Sequence, residues 1–148
     1  MGQVLNRQDL QKALTQKRKN KKVVFTNGCF DILHVGHVHY LEQAKALGDI
    51  LVVGMNSDES VKALKGSTRP IQCEEDRAKI LSALAAVDFV VLFGEDTPKD
   101  LIEMVEPDIL VKGGDWAVDK IIGADFVKSR GGLIKSLPFV NGKSSTAI

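Results

Sequence analysis

A chain of 148 residues with a net charge of +1 is sized for one domain, residues 1–148, and gives no bulk electrostatic reason to expect a nucleic-acid partner. A chain of this size buries roughly two-thirds of its unfolded surface and needs no disulfide staples; Cys29 and Cys73 lack metal-ligand spacing and read as reduced thiols of a cytoplasmic protein. No apolar run approaches the roughly 20 residues of a membrane helix, and the lysine-rich start, residues 1–22, has no apolar core of a secretory signal.

In chain order, residues 6–19 predict a short amphipathic helix within an N-terminal segment 1–20. Asn6 caps it, and Leu10 and Leu14 share one face. Its basic end, from Lys17 to Lys22, reads as a solvated face, with nucleic-acid contact the weaker alternative. Residues 22–148 form the remaining core. Residues 23–26 are an apolar run that predicts a buried strand. Residues 36–47 are helical, with Val38, Leu41, Ala44 and Leu47 apolar and Gly48 as a stop. A second strand spans 50–55. Residues 74–86 form a helix carrying Ala78, Leu81, Leu84 and Ala85, followed by a third strand at 89–93. Thr97 caps a helix that has Pro98 at its first position, runs to Val105 and ends before Pro107. A fourth strand at 109–111, a helix at 123–130 stopped by Gly131 and Gly132, and a fifth strand at 133–137 complete the pattern. Strands alternating with helices predict an α/β fold: a parallel sheet of about five strands with helices on both faces. Such sheets bind ligands beyond the carboxyl ends of their strands, at the topological switch point.

The stretch that carries most chemistry runs from Val23 to His37, VVFTNGCFDILHVGH. All three histidines of the chain, His34, His37 and His39, fall within six positions just after the first strand. Gly28 stands where the chain turns and where backbone can approach a ligand. His34 and His37 are three apart and share a face at a helix start. A helix N-terminus presents unpaired N–H groups that suit phosphate, and two imidazoles there can donate to phosphate oxygens. His39 faces away. No Cys, Asp or Glu at ligand spacing completes a zinc site. Capping or core roles for the histidine pair remain open on spacing alone. There is no glycine-rich dinucleotide fingerprint and no Walker loop.

NGCFDILHVGH resembles the signature of the HxGH nucleotidyltransferase superfamily, in its cytidylyltransferase-like branch. The likeness continues through VGMNSDESVKALKGSTRP, EEDRAKILSALAAVD, ILVKGGDW and NGKSST, and so covers nearly the whole chain from Lys22. LKGSTRP and LVKGGDW are most similar to the heptose-1-phosphate adenylyltransferases. The resemblance implies a Rossmann-like sheet and conversion of ATP and heptose 1-phosphate to ADP-heptose and pyrophosphate for lipopolysaccharide core. It further implies Mg2+ with ATP, a cytoplasmic location, a homodimer, and neither a nucleic-acid nor a membrane partner. The alternatives are a cytidylyltransferase acting on glycerol 3-phosphate or a similar small alcohol phosphate, and a nucleotide-binding module without turnover. Two departures stand out. Related cytidylyltransferases carry an Arg just before the late Ser/Thr motif, where this chain has Phe139-Val140-Asn141 with Lys143 nearby. They also continue into a C-terminal helix beyond the position of Ile148.

Carried onto this chain, the resemblance makes His34, His37 and Lys65 the catalytic group. Lys65 stands beside Gly66 in an expected loop, with Lys62 a weaker phosphate contact. Asn27, Gly28, Cys29, Phe30, Asp31, Asp58, Arg77, Gly113, Ser144, Ser145 and Thr146 bind nucleotide. Within that set Asp31 orients its loop or aids cation placement, Asp58 meets ribose hydroxyls or caps the next helix, and Arg77 lies against the phosphates. Lys112, at the end of an apolar strand, needs an anion to offset burial and takes the acceptor's phosphate. Asp115 and Trp116 line the sugar pocket.

Overall fold

Runs rich in β-branched and aromatic residues form the strands β1 (Gln3–Val4), β2 (Val23–Gly28), β3 (Ile50–Asn56), β4 (Phe89–Phe93), β5 (Ile109–Gly113) and β6 (Leu133–Leu137). Between them run α1 (Arg7–Lys17), α2 (Val35–Ala46), α3 (Asp58–Lys65), α4 (Glu74–Ser82), α5 (Lys99–Val105) and α6 (Ala124–Ser129). The structure, a computed structural model, describes residues 2–114 and 116–138. The strands form one sheet in the order β1-β4-β3-β2-β5-β6, and every ladder is parallel.

Successive strand residues face opposite sides of a sheet, and this divides the core in two. Val23 and Phe25 of β2, Val52 of β3 and Val91 of β4 pack with Leu10 and Leu14 of α1 and with Leu101, Ile102 and Val105 of α5. Val24, Leu51, Val53 and Val90 pack on the other face with Tyr40, Leu41 and Ala44 of α2 and Ala78 and Leu81 of α4. Both faces are covered, so the central strands are continuous apolar runs with no polar alternation. The winding reverses at β2: β3 and β4 lie to one side of it, β5 and β6 to the other. Loops leaving β2 and β5 therefore diverge and open a crevice at the carboxyl edge of the sheet.

The sheet has six strands where the sequence pattern indicates about five. The extra one, β1, is two exposed residues, too short to show a period. Backbone bonding places it, with Gln3 N donating to Asp88 O at 3.0 Å and Leu5 N to Val90 O at 2.9 Å. Lys65, expected in a loop, is the last residue of helix α3. Ser57 caps that helix by accepting from Ser60 N at 3.3 Å, in place of Asp58, whose carboxylate is taken by Arg77. The helix expected over 74–86 stops at Ser82. Helix α5 begins at Lys99, with Pro98 at the cap position and the Thr97 hydroxyl accepting from Lys99 N at 3.4 Å. Asn6 caps α1 as its side chain suggests, accepting from Asp9 N at 2.8 Å.

Leu10 is fully buried where α1 meets the sheet. Leu10→Ala should lower unfolding free energy by about 2–5 kcal/mol, read as a lower urea midpoint. A midpoint within error of the parent would mean that α1 does not dock.

Candidate active site

At the carboxyl ends of β2, β3, β4 and β5 lies a cavity of about 470 Å³. The exit of β2 supplies Asn27, Gly28, Cys29 and Phe30; α2 supplies His37 and Tyr40; β3 and α3 supply Asn56, Leu64 and Lys65. The far walls come from Phe93, Asp96, Thr97 and Pro98 after β4, and from Lys112, Gly113, Trp116 and Ile122 after β5.

The β2 exit turns sharply. Phe30 has φ 48°, a left-handed conformation that costs a non-glycine residue about 1–3 kcal/mol. Its ring folds back over Gly28, where a Cβ would come within 2.9 Å of Phe30 Cε2, so a larger residue there would displace the ring. Two buried charged groups hold this turn. The Asp31 carboxylate, with no side-chain exposure, accepts from Arg69 Nη1 at 2.8 Å and from the backbone N–H groups of Ile71 (2.8 Å) and Gln72 (3.2 Å). Burial alone would raise its pKa; the Arg69 bond and the two N–H groups outweigh it and hold the carboxyl below the usual range. The second group is the Arg77 guanidinium. It donates to Cys29 O (2.7 Å), Asn56 O (2.8 Å), Gln72 O (3.0 Å) and Asp58 Oδ1 (2.7 Å). Arg77 has no solvent exposure. Where the resemblance implies contact with phosphates, the guanidinium's bonds in this arrangement tie together the backbone that frames the cavity. Asp58 is likewise engaged by Arg77 and is not among the cavity's lining residues.

The histidine pair is oriented by the start of α2. His34 is the N-cap, and its Nδ1 accepts from Gly36 N at 3.1 Å. His37 Nδ1 accepts from His34 N at 3.3 Å. An imidazole that accepts at Nδ1 carries its proton on Nε2, so this network assigns both rings the same tautomer, with Nε2–H as donor. The rings pack against each other with centroids 4.0 Å apart. Burial, then the neighbouring His34 and Lys65, depress the His37 pKa from 6.5 to about 4, so the ring is neutral at pH 7. His34 Nε2 is buried and has no hydrogen-bond partner among the described residues. A buried unpaired donor costs about 1–3 kcal/mol, which an incoming acceptor oxygen would offset. His39 is exposed.

Cationic charge comes from Lys65 at the end of α3 and Lys112 at the end of β5. Burial lowers the Lys112 pKa below the ordinary lysine value, and its Nζ stands 5.3 Å over the Trp116 ring. Trp116 N donates to Ser136 Oγ at 3.1 Å, and Ser136 Oγ in turn donates to Gly114 O. Gly114 sits at φ 100°, which lets the chain turn directly after Lys112 and Gly113. Cys29 and Cys73 are free thiols, and burial raises the Cys29 pKa despite nearby Lys65 and Arg77. Lys62 is exposed on α3 and does not line the cavity. Asp115, Ser144, Ser145 and Thr146 lie outside the described residues. Tyr40, Asn56, Phe93 and the 96–98 segment escape the sequence reading. Asn56 and Phe93 end strands β3 and β4, and a search of every strand's carboxyl end would have found them.

The chain matches the family model described as cytidylyltransferase-like over residues 25–148. It is 53% identical over 146 residues to "Bifunctional protein HldE" of Wolinella succinogenes, covering 98% of this chain and 30% of that protein. It spans 27–30% of the length of the curated relatives it matches. Among solved structures, the lipopolysaccharide core biosynthesis protein from Thermoplasma volcanium is 33% identical, with a TM-score of 0.63 over 81% of this chain and 97% of that one. A pantoate-beta-alanine ligase from Francisella tularensis shares the fold at 16% identity, with a TM-score of 0.67 over 97% of this chain and 69% of that one. No helix among the described residues is long and apolar enough to cross a membrane.

The histidine geometry has a spectroscopic consequence. In 15N-detected NMR, His37 should show the Nε2–H neutral form from pH 8 down to about 5, with a midpoint near 4. Because the folded pKa is depressed, its contribution to stability is complete above the unfolded value of about 6.5 and is lost as pH falls towards 4. A His37 midpoint at or above 6.5 would contradict the buried, neutral assignment.

Proposed function

The chain belongs to the cytidylyltransferase-like family, and on that premise we propose that it is an adenylyltransferase converting ATP and heptose 1-phosphate to ADP-heptose and pyrophosphate. One observation carries the reading. His34 and His37 both accept at Nδ1 and so present Nε2–H at the switch point of a parallel sheet, with His37, Lys65 and Lys112 lining the cavity. That is a preformed set of donors for phosphate oxygens, and one of them, His34 Nε2, has no acceptor within the described chain. The heptose assignment draws on likeness to the bifunctional HldE protein and to the lipopolysaccharide core biosynthesis protein. In this reading the product feeds lipopolysaccharide core assembly, and the enzyme works in the cytoplasm as a homodimer.

The chemistry asks for alignment and charge neutralisation more than for covalent help. An oxygen of the acceptor's phosphate attacks the α-phosphorus of ATP, the bond from that phosphorus to the bridging oxygen breaks, and pyrophosphate leaves with the electron pair. The Nε2–H groups of His34 and His37 donate to the triphosphate as charge grows on the leaving side, and Lys65 adds a positive charge. Neutral donors and fixed cations need no rearrangement during the step. Lys112 holds the acceptor's phosphate, with Trp116 beside it, and Asp115 binds the sugar. Asn27, Gly28, Cys29, Phe30 and Gly113 present backbone to the nucleotide, and Ser144, Ser145 and Thr146 add hydroxyls. Mg2+ enters as part of the substrate MgATP, since this cation is commonly carried on substrate phosphates.

Pyrophosphate release should be faster with ATP than with CTP when heptose 1-phosphate is the acceptor; the reverse order points to the cytidylyltransferase alternative. His37→Ala should lower kcat about a hundred- to a thousand-fold, with a much smaller change in ATP KM and a folded thermal melt. Near-parental kcat in the folded variant would assign His37 a structural role only.

A further inference from the structure

Among the described residues, three charged side chains line the cavity: Lys65, Lys112 and Asp96. The two lysines suit phosphates. Asp96 does not, because a carboxylate on the wall of a pocket that admits two phosphate-bearing substrates repels both. Its neighbour Glu95 is committed elsewhere, accepting from Arg7 Nη2 at 2.6 Å and from Gly94 N at 3.2 Å, which pins the loop to the start of α1. Asp96 makes no hydrogen bond or ion pair with any described residue, and it is exposed to the cavity beside Thr97.

We infer that Asp96 is a specificity-determining residue that accepts hydrogen bonds from sugar hydroxyls of the acceptor. An ionised carboxylate is an acceptor only, and the neutral complement that offers it paired donors is a sugar diol. Position selects the acceptor over the ribose of the nucleotide. Asp96 follows β4, two strands and roughly 10 Å across the sheet from β2. The backbone assigned to the nucleotide leaves β2 and β5, and the acceptor, whose phosphate Lys112 holds at the β5 exit, extends from there across the cavity towards β4. The inference rests on the adenylyltransferase reading and adds to it the residue that senses the sugar.

The test is a pyrophosphate-release assay on the parent, Asp96→Ala and Asp96→Asn, varying heptose 1-phosphate, ATP and Mg2+ in turn. Because Asp96 is exposed and unpaired, both variants should melt like the parent. Asp96→Ala should raise the acceptor KM about ten- to a hundred-fold, as loss of hydrogen bonds to a charged group does, and Asp96→Asn should raise it less. ATP KM and the Mg2+ dependence should not move. Against a set of mono-deoxy sugar 1-phosphates, the parent should discriminate by a similar factor against at least one analogue that Asp96→Ala no longer distinguishes. An unchanged acceptor KM overturns the inference alone. So does a raised ATP KM, which would place the carboxylate on the ribose, or a shifted Mg2+ requirement, which would place it on the metal. A parent enzyme that turns over no sugar 1-phosphate overturns the adenylyltransferase reading and this inference together.

Discussion

The Arg77 guanidinium, buried without solvent exposure, joins segments that are far apart in the chain. It binds the carbonyl of Cys29 after β2, that of Asn56 at the end of β3 and that of Gln72 before α4, together with the Asp58 carboxylate at the start of α3. A buried cation is costly unless its donors are paired, and here these bonds go to backbone and carboxylate in the frame of the cavity. The Asp31 carboxylate makes the complementary tie, from the β2 exit to Arg69, Ile71 and Gln72. Together they hold Phe30 in its left-handed conformation and set where α2 begins. The positions of His34 and His37 follow from that.

This frame separates two kinds of charge. Arg77, Asp31, Asp58 and Arg69 neutralise one another inside the protein. Lys65 and Lys112 line the cavity, and burial, with His34 and Lys65 nearby, keeps the His37 ring neutral. A site of fixed cations and neutral donors can receive a triphosphate without moving protons first, which is the condition for electrostatic stabilisation without reorganisation.

The fold was legible where the pattern is strong: five of the strands and the helices α1, α2, α4, α5 and α6 are marked by apolar runs, caps and glycine stops. Strand β1 was not, since two exposed residues carry no period and its place depends on backbone bonds to β4. Helix α3 is legible only in part: Asp58 reads as a cap for a following helix, but Lys65 beside Gly66 resembles a loop. In the site, His37, Lys65, Lys112 and the β2 exit line the cavity, and His34 is not among its lining residues. Arg77 shows the boundary of such reading: a motif gives the residue, but whether its guanidinium faces a ligand or the backbone depends on tertiary contacts. Asp96 and Asn56 belong to no motif, and only the strand order brings them to the same edge as the histidines.

The role of Arg77 as the frame of the site can be measured directly. Arg77→Lys and Arg77→Met would be compared with the parent by urea unfolding and by calorimetric titration with ATP. Removing the guanidinium leaves three carbonyls and a carboxylate without their donor, so Arg77→Met should lose about 3–5 kcal/mol of stability. Arg77→Lys should recover only part of it, because an ammonium cannot span the same fork of acceptors. ATP affinity should fall in step with the loss of structure. Variants with parental stability that lose ATP affinity alone would contradict the account and return Arg77 to the phosphates.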